Sequence, residues 1–309
     1  MIPWTFSACS WTARTSASSS ADSKLHPQSH SARFRGLPDD FVLPIGVTVG
    51  GSVWRNFGVQ VRIYVTGSIC IEQEATLIRE SELPRRQGRL AFAMLVLERQ
   101  RPVSTDELVE LLWPGRPPAH HLLAVSALIS KLRRLLSRTG LGPDAVAHAF
   151  NCYQLRLPTE AWVDAETALD SLHQAEGALR SGKHASAYGA AVVAAAILRR
   201  PFMIGEYGDW VEARREKFRA ALVRVLDCLV TLHDWNQEPT LAIAAAAEAV
   251  SLEPFRESGY RNLIALQMRA GNRVEARRTY ERCQKLFTRE LGIAPSGEIE
   301  RLLVERGDR

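Results

Sequence analysis

Long apolar runs are missing from this sequence of 309 residues. A helix that crosses a bilayer needs roughly 18 consecutive apolar residues, and no stretch approaches that length. The first thirty residues contain no apolar segment followed by a small-residue cleavage site, the pattern of a secretory signal. We therefore expect no membrane span and a cytoplasmic location.

Cysteines are few and scattered, and they form no C-x-x-C pair. None has a nearby histidine at metal-ligand spacing, so the pattern predicts neither a zinc site nor a disulfide framework. The five are Cys9, Cys70, Cys152, Cys228 and Cys283. We expect reduced, partly buried thiols and no bound metal.

The signature motifs of common enzymes are also absent. The chain has no G-x-S-x-G, no H-E-x-x-H and no G-x-x-x-x-G-K-[ST] phosphate loop. The adjacent His120 and His121 point in different directions on a helix and have no third ligand nearby, so a position near a phosphate suits them better than a metal. The sequence predicts no catalytic residues, no cofactor and no enzymatic activity.

Positive charge is present and strongly localised. The formal net charge is +5, and between Arg85 and Arg138 ten Arg or Lys residues stand against four Asp or Glu residues. This segment therefore holds essentially the whole surplus, and the rest of the chain is close to neutral. Such a distribution favours a polyanionic partner.

Residues 1–57 differ from the rest of the chain because they are Ser-rich and lack periodicity. We interpret them as a disordered extension. Their Arg and Ser content is also typical of an organellar transit peptide, but a mobile bacterial extension or a start codon assigned too early explains them better.

Residues 59–158 follow the order sheet, three helices, hairpin. Alternating β-branched residues after Val59 predict short antiparallel strands, and an apolar helix is predicted over 86–99. Ser104 and Glu107 form an S-x-x-E capping box before a short second helix, which Pro114 ends. A basic third helix and an alternating segment with a turn at Asn151 complete the pattern of a winged helix-turn-helix domain.

The third helix separates an apolar seam from its polar residues. Val125, Ile129, Leu132 and Leu136 follow the 4, 3, 4 spacing of one helix face. Six residues are left off this seam, namely Ser126, Ser130, Lys131, Arg133, Arg134 and Arg138.

Residues 160–306 are rich in Ala and Leu and have helical periodicity almost throughout. A helix end, a glycine and a small residue five positions later recur at Gly182/Ala187 and Gly271/Ala276. Asn236 lies 35 residues before Gly271, close to the tetratricopeptide period of 34. We predict an all-α, TPR-like helical-repeat domain, so that the whole protein is mostly α.

These segments together resemble the SARP-type (AfsR-like) bacterial transcriptional activators. The residues that carry the likeness are "LW" after the second helix, "SKLRRLL" in the third and "ELGIAPS" near the end. The resemblance implies an OmpR-like winged helix followed by a bacterial transcriptional activator domain. Two features depart from the family pattern: Asn151-Cys152 replaces a glycine-containing pair in the wing, and the nucleotide-binding module of larger relatives has no counterpart.

The resemblance implies a sequence-specific transcriptional activator that binds repeated half-sites in double-stranded promoter DNA. Its partners would be RNA polymerase and a second copy of the chain. The implied DNA-binding residues are Ser126, Ser130, Lys131, Arg133, Arg134 and Arg138 on the third helix, Arg116 in the turn and Arg156 on the wing.

Other interpretations stay open at this stage. A basic helix is often only a solvated face, and Arg133 or Arg134 could pair with Glu107 or Glu110 instead of DNA. Arg116 is equally well a solvated loop residue. The chain could also be a helical-repeat interaction adaptor with no specific DNA target, whose basic helix binds an acidic protein, or an enzyme regulated by its repeats.

Overall fold

The computed structural model describes residues 61–74 and 76–304, so the predicted extension over 1–57 lies outside the described part. The α-helices are α1 Arg85–Leu97, α2 Thr105–Leu112, α3 His121–Leu136, α4 Asp164–Arg180, α5 His184–Leu198, α6 Asp209–Trp235, α7 Pro239–Leu252, α8 Glu257–Arg269, α9 Arg273–Leu291 and α10 Gly297–Val304. The strands are β1 Arg62–Tyr64, β2 Cys70–Gln73, β3 Thr76–Arg79, β4 Val103–Ser104, β5 Val146–Ala149, β6 Cys152–Leu155 and β7 Trp162–Val163. The fold is mostly α, as predicted.

The first sheet has the strand order β3-β2-β1-β7. The β1–β2 and β2–β3 pairs are antiparallel, as the alternation predicts. However, β7 pairs with β1 in parallel, with Ile63 opposite Val163, so the sheet is mixed and not wholly antiparallel. Parallel neighbours need a long crossover, which the three helices and the wing provide here. The sheet therefore crosses the predicted domain boundary at residue 158.

The predicted capping box forms at the start of α2. The Ser104 hydroxyl oxygen accepts from the Glu107 N–H at 3.1 Å, and the Glu107 carboxylate accepts from the Ser104 N–H at 2.8 Å. Two N–H groups that a helix start leaves without partners are satisfied in this way. Because α2 ends at Leu112, the turn to α3 begins where the sequence places it.

The wing is the β5–β6 hairpin, and β6 also pairs with β4. Ala149 is opposite Cys152, so the loop consists of Phe150 and Asn151 alone. Both have positive φ, +49° and +59°, which is the pattern of a type I′ turn. The predicted turn at Asn151 is confirmed, and a tight hairpin forms without the glycine of the family pattern.

The helices of the C-terminal part pack as successive pairs, α4 with α5, α6 with α7 and α8 with α9. Ala187, Ala242 and Ala276 lie on the second helix of each pair and are 0% exposed. A methyl side chain at these positions lets the paired helices approach closely, which is the packing that the repeat predicts. Gly182 and Gly271 take the left-handed conformation that ends the preceding helix.

The apolar core is continuous between the winged helix and the first repeats. One cluster of buried residues extends from Val61, just before β1, to Ala249 in α7, and a second cluster joins α7 to α10. Polar contacts reinforce the junction, because Arg99, two residues past the end of α1, donates to Glu166 of α4 at 2.6 and 2.7 Å. The two parts therefore share one core.

The loop between α5 and α6 also reaches the winged helix. The Glu206 side chain, 4% exposed, accepts from Arg86 at 2.6 Å and also pairs with Arg89, both on α1. Thr66 forms a bridge with Phe202 of the same loop. This loop fixes the start of α1 against the repeats.

Within the described residues no helix is long and apolar enough to span a bilayer. The four described cysteines are free thiols, as expected. Cys228 and Cys283 are buried, and burial raises the pKa of each thiol to about 11. Such thiols are protonated and unreactive at neutral pH.

Candidate nucleic-acid interface

The apolar seam of α3 is buried as predicted, and its opposite face is open to solvent. Val125, Ile129, Leu132 and Leu136 are at most 1% exposed. Ser126, Ser130, Lys131 and Arg134 are all exposed on the other side of the helix. We call these last four residues the α3 outer face. It is continuous because they follow one another at spacings of one, three and four residues.

Most cations of the basic segment 85–138 have partners within the protein. Six of the ten donate to carboxylates or to a backbone carbonyl, and these are Arg86, Arg89, Arg99, Arg101, Arg133 and Arg138. Among the described residues, the other four side chains have no ion pair or hydrogen bond; they are Arg85, Arg116, Lys131 and Arg134. Fewer cations are therefore available to a partner than the sequence suggests.

The Arg133 side chain is hydrogen-bonded to the wing. Its Nε and Nη2 atoms donate to the backbone oxygen of Val146 at 2.9 and 2.7 Å, and the side chain is half-buried. The sequence is compatible with a pairing to Glu107 or Glu110, but in the structure the guanidinium lies at the start of β5. Arg133 thus fixes the wing to α3, although the sequence groups it with the DNA-binding residues.

Arg138 pairs with Glu82 at 2.7 Å, beyond the end of α3. The Arg79 N–H and the Arg138 guanidinium both donate to Glu82 and lower the pKa of its carboxyl group. The charge of Arg138 is thus partly balanced, while half of its side chain stays exposed.

Lys131 and Arg134 line a cleft of about 690 Å³ between α3 and the segment Glu82–Gln87. Arg85 lies on the opposite wall, is exposed and has a positive φ of +50°. Sequence reasoning missed Arg85 as a candidate, although it stands at the start of the basic segment. The cleft brings three unpaired cations together, a suitable arrangement for phosphate oxygens.

The turn between α2 and α3 is exposed throughout residues 114–120 and contains Arg116. The His121 ring nitrogen lies 3.0 Å from the Pro118 oxygen, so one side of that ring is held by its own turn. No group of three or more metal-ligating side chains occurs in the described part of the chain. One ring nitrogen of His121 is therefore engaged by the backbone of the turn. The Arg116 side chain is unpaired among the described residues and is available to a ligand.

The two serines of the α3 outer face are linked to each other, because the Ser130 hydroxyl donates to the backbone oxygen of Ser126 at 2.9 Å. This bond within the helix leaves the hydroxyl oxygen available as an acceptor. Ser126 is exposed and its hydroxyl has no partner among the described residues. Both can face a base edge or a phosphate.

The wing presents the cation of Arg156 and the phenyl ring of Phe150. Arg156 is exposed just after β6, and its side chain makes no contact with a described carboxylate. Phe150, at the tip of the hairpin, is 100% exposed. The sequence pattern indicates Arg156 but not Phe150, because apolar residues in an alternating segment are expected to be buried.

Comparison with known proteins is consistent with this geometry. Residues 163–305 match the family model of the bacterial transcriptional activator domain. The transcriptional regulatory protein EmbR of Mycobacterium tuberculosis is 30% identical over 232 residues, which are 71% of this chain and 56% of EmbR. The regulatory protein AfsR of Streptomyces coelicolor is 26% identical over 70% of this chain and 21% of its own length.

The transcriptional regulator RedD of Streptomyces coelicolor is 26% identical over 80% of this chain and 70% of its own length. The chain thus spans about half the length of EmbR and a fifth of AfsR. A solved structure of M. tuberculosis EmbR in complex with a low affinity phosphopeptide matches with a TM-score of 0.70 at 22% identity, over 80% of this chain and 65% of that one. This likeness shows a shared fold.

Proposed function

We propose that this chain is a sequence-specific DNA-binding transcriptional activator of the SARP type, a family of regulators that carry a bacterial transcriptional activator domain. In this proposal the winged helix binds promoter DNA and the helical-repeat domain contacts RNA polymerase. The proposal assigns the protein no catalytic step. Promoter binding also agrees with the cytoplasmic location that the sequence predicts.

One observation carries the proposal: Lys131 and Arg134 are exposed and unpaired on the helix that follows a helix-turn, while most neighbouring cations have partners within the protein. Lysine and arginine on such a helix displace counterions from phosphates and reach base edges in the major groove.

The other candidate residues divide into those that would contact DNA and those that hold the interface in shape. Ser126 and Ser130 lie beside Lys131 on the α3 outer face and suit base-edge or phosphate contacts. Arg116 and Arg85 suit phosphate contacts, since each is exposed on the periphery of α3. Arg133 and Arg138 act mainly through the wing and Glu82, and they hold the interface in shape.

We further propose that the protein acts as a homodimer on repeated half-sites. A single winged helix offers few contacts, and joining two on adjacent half-sites makes the second binding event effectively intramolecular. The helical-repeat domain is the natural place for the pairing and for the polymerase contact, because its sequence carries almost no net charge to attract DNA.

Genome-wide recovery of the DNA bound by the protein tests the function. A recurrent motif with fixed half-site spacing is expected, and a short duplex with that motif should bind with an affinity that falls steeply as salt rises. A protein that binds all duplexes equally, or none, would refute the specific-DNA proposal. Recovery of an acidic protein partner in its place would favour the adaptor interpretation.

A further inference from the structure

The tip of the wing holds an aromatic ring in an unusual state. Phe150 is 100% exposed, and its φ of +49° lies in the left-handed region that residues other than Gly, Asn and Asp rarely adopt. A fully solvated phenyl ring stabilises no core. Nothing in the packing of the described chain therefore explains why this position holds phenylalanine.

The hairpin that carries the ring is held at both ends. At its base, Arg133 donates twice to the Val146 oxygen. At its tip, the Thr105 hydroxyl lies 2.9 Å from both the backbone oxygen and the side-chain Oδ1 of Asn151 and shares its single hydrogen between them, and the Thr105 N–H donates to the same backbone oxygen at 2.9 Å. The turn is therefore fixed to the start of α2, and the ring is displayed in a defined position.

The surroundings of the ring favour a polyanion over a protein surface. The hairpin from Val146 to Leu157 contains no Asp or Glu, and Arg156 is its one fully charged residue. Protein docking sites are contiguous apolar patches around buried anchors, whereas Phe150 stands alone among Ala149, Asn151 and the exposed ring of His148. A single projecting ring suits insertion between stacked bases.

We propose that Phe150 is a wedge that enters the minor groove of the bound duplex and partly unstacks one base step. This inference rests on the proposed DNA-binding function and deepens it. Apolar side chains inserted in this way kink DNA toward the major groove, and the cost depends on how easily the contacted step unstacks. The wing would thus read the deformability of the sequence, while the α3 outer face reads base edges.

The variant Phe150→Gly tests the wedge without endangering the fold. Glycine accepts the positive φ without strain, and no buried surface is lost, so thermal stability should be unchanged or higher. Phe150→Trp keeps a flat ring and should rescue the effects of Phe150→Gly. Tyr207→Ala serves as the matched control, because Tyr207 is an aromatic residue 75% exposed in the loop between α5 and α6.

The readouts use a short duplex with the strongest genome-recovered site, end-labelled for energy transfer, and a second duplex with 2-aminopurine at the steps facing the wing. Wild type and Phe150→Trp should shorten the end-to-end distance and raise 2-aminopurine fluorescence. Phe150→Gly should lose both signals and bind about tenfold more weakly, the order expected of one base–aromatic contact. Tyr207→Ala should match wild type.

The results that would refute the wedge can be distinguished from those that would refute DNA binding itself. If Phe150→Gly binds and bends DNA like wild type, the wedge is refuted and the DNA-binding function stands. If Phe150→Gly loses only promoter activation in a reconstituted transcription assay, the ring contacts a protein and the wedge is again refuted. If wild type shows no salt-sensitive binding to any duplex, the proposed function and the wedge fail together.

Discussion

The carboxylate of Asp164 accepts hydrogen bonds from both the backbone N–H and the hydroxyl of Thr66, 98 residues earlier in the chain, at 3.0 and 2.7 Å. Its other oxygen accepts from the Val65 N–H at 2.9 Å. Asp164 is the first residue of α4 and is 0% exposed. One buried side chain of the helical-repeat domain thus satisfies the backbone at the end of the first strand of the winged helix.

We expect Asp164→Ala to destabilise the whole chain by about 3 kcal/mol or more, because it leaves three buried N–H groups, those of Val65, Thr66 and Ala165, and the Thr66 hydroxyl without this acceptor. Asp164→Asn keeps one acceptor oxygen in the same place and should cost less. Urea unfolding monitored by tryptophan fluorescence measures both. Equal effects of the two variants, or a loss below about 1 kcal/mol for alanine, would contradict this role for Asp164.

The double variant Lys131→Ala/Arg134→Ala should lose specific DNA binding and keep its fold, since both side chains are exposed and unpaired. Each lost base contact costs on the order of 1 to 3 kcal/mol of binding free energy, and a phosphate contact costs less. Titration of the recovered site at several salt concentrations gives the affinity and its salt slope.

The matched control is Lys217→Ala/Arg277→Ala, which removes the same charges from exposed positions on α6 and α9. It should bind DNA like wild type. If both double variants weaken binding equally, general charge and not the α3 outer face determines the affinity.

Arg133→Ala should act on stability first. The substitution removes two hydrogen bonds to the Val146 oxygen and frees the base of the wing, at a cost of about 1 to 3 kcal/mol in unfolding free energy. Arg133→Lys can restore at most one of the bonds. Arg134→Ala, one residue later on the exposed face, should leave the melting temperature nearly unchanged. An inverted ranking of the two melting temperatures would show that Arg133 is not the anchor.

The start of α2 should respond to acid. The Arg101 guanidinium lies 2.8 Å from Glu107 and, with the Ser104 N–H, holds the pKa of that carboxyl below its ordinary value of 4.5. A carboxyl with a lowered pKa in the folded state adds stability above its unfolded pKa. That stability is lost as the pH falls through the folded pKa.

Glu107→Gln keeps the cap acceptor but has no charge to lose. Its unfolding free energy should therefore fall less than that of wild type when urea titrations are compared between about pH 7 and pH 3. Parallel pH profiles for the two proteins would remove Glu107 as a contributor.

Much of the fold could be predicted because its signals are local. The capping box at Ser104 and Glu107, the seam from Val125 to Leu136 and the small residues at Ala187 and Ala276 each follow from a few neighbouring positions. The parallel strand β7 could not be predicted in this way. Two residues, Trp162 and Val163, carry no periodicity, and their partner lies about a hundred residues earlier.

The candidate site likewise combines features that local spacing predicts with features that depend on contacts distant in sequence. Spacing alone separates the α3 outer face from the seam, but it treats Arg133 and Arg134 alike, because both are off the seam. Only the position of the Val146 oxygen in space distinguishes an anchored guanidinium from a free one. Arg85 and Phe150 were missed because their exposure depends on turns whose geometry the sequence does not specify.

The pairing of β1 with β7 joins the winged helix rigidly to the helical repeats. The helix proposed to read the groove and the repeats proposed to join two copies are connected through sheet hydrogen bonds and a common core, and no flexible tether separates them. A pair of such molecules has little freedom to rotate around the duplex axis. If the protein binds DNA as the proposed dimer, its promoters should hold their half-sites on the same side of the double helix, near whole turns of about 10.5 base pairs. An insertion of about five base pairs would turn one half-site to the opposite side, where the second copy cannot follow.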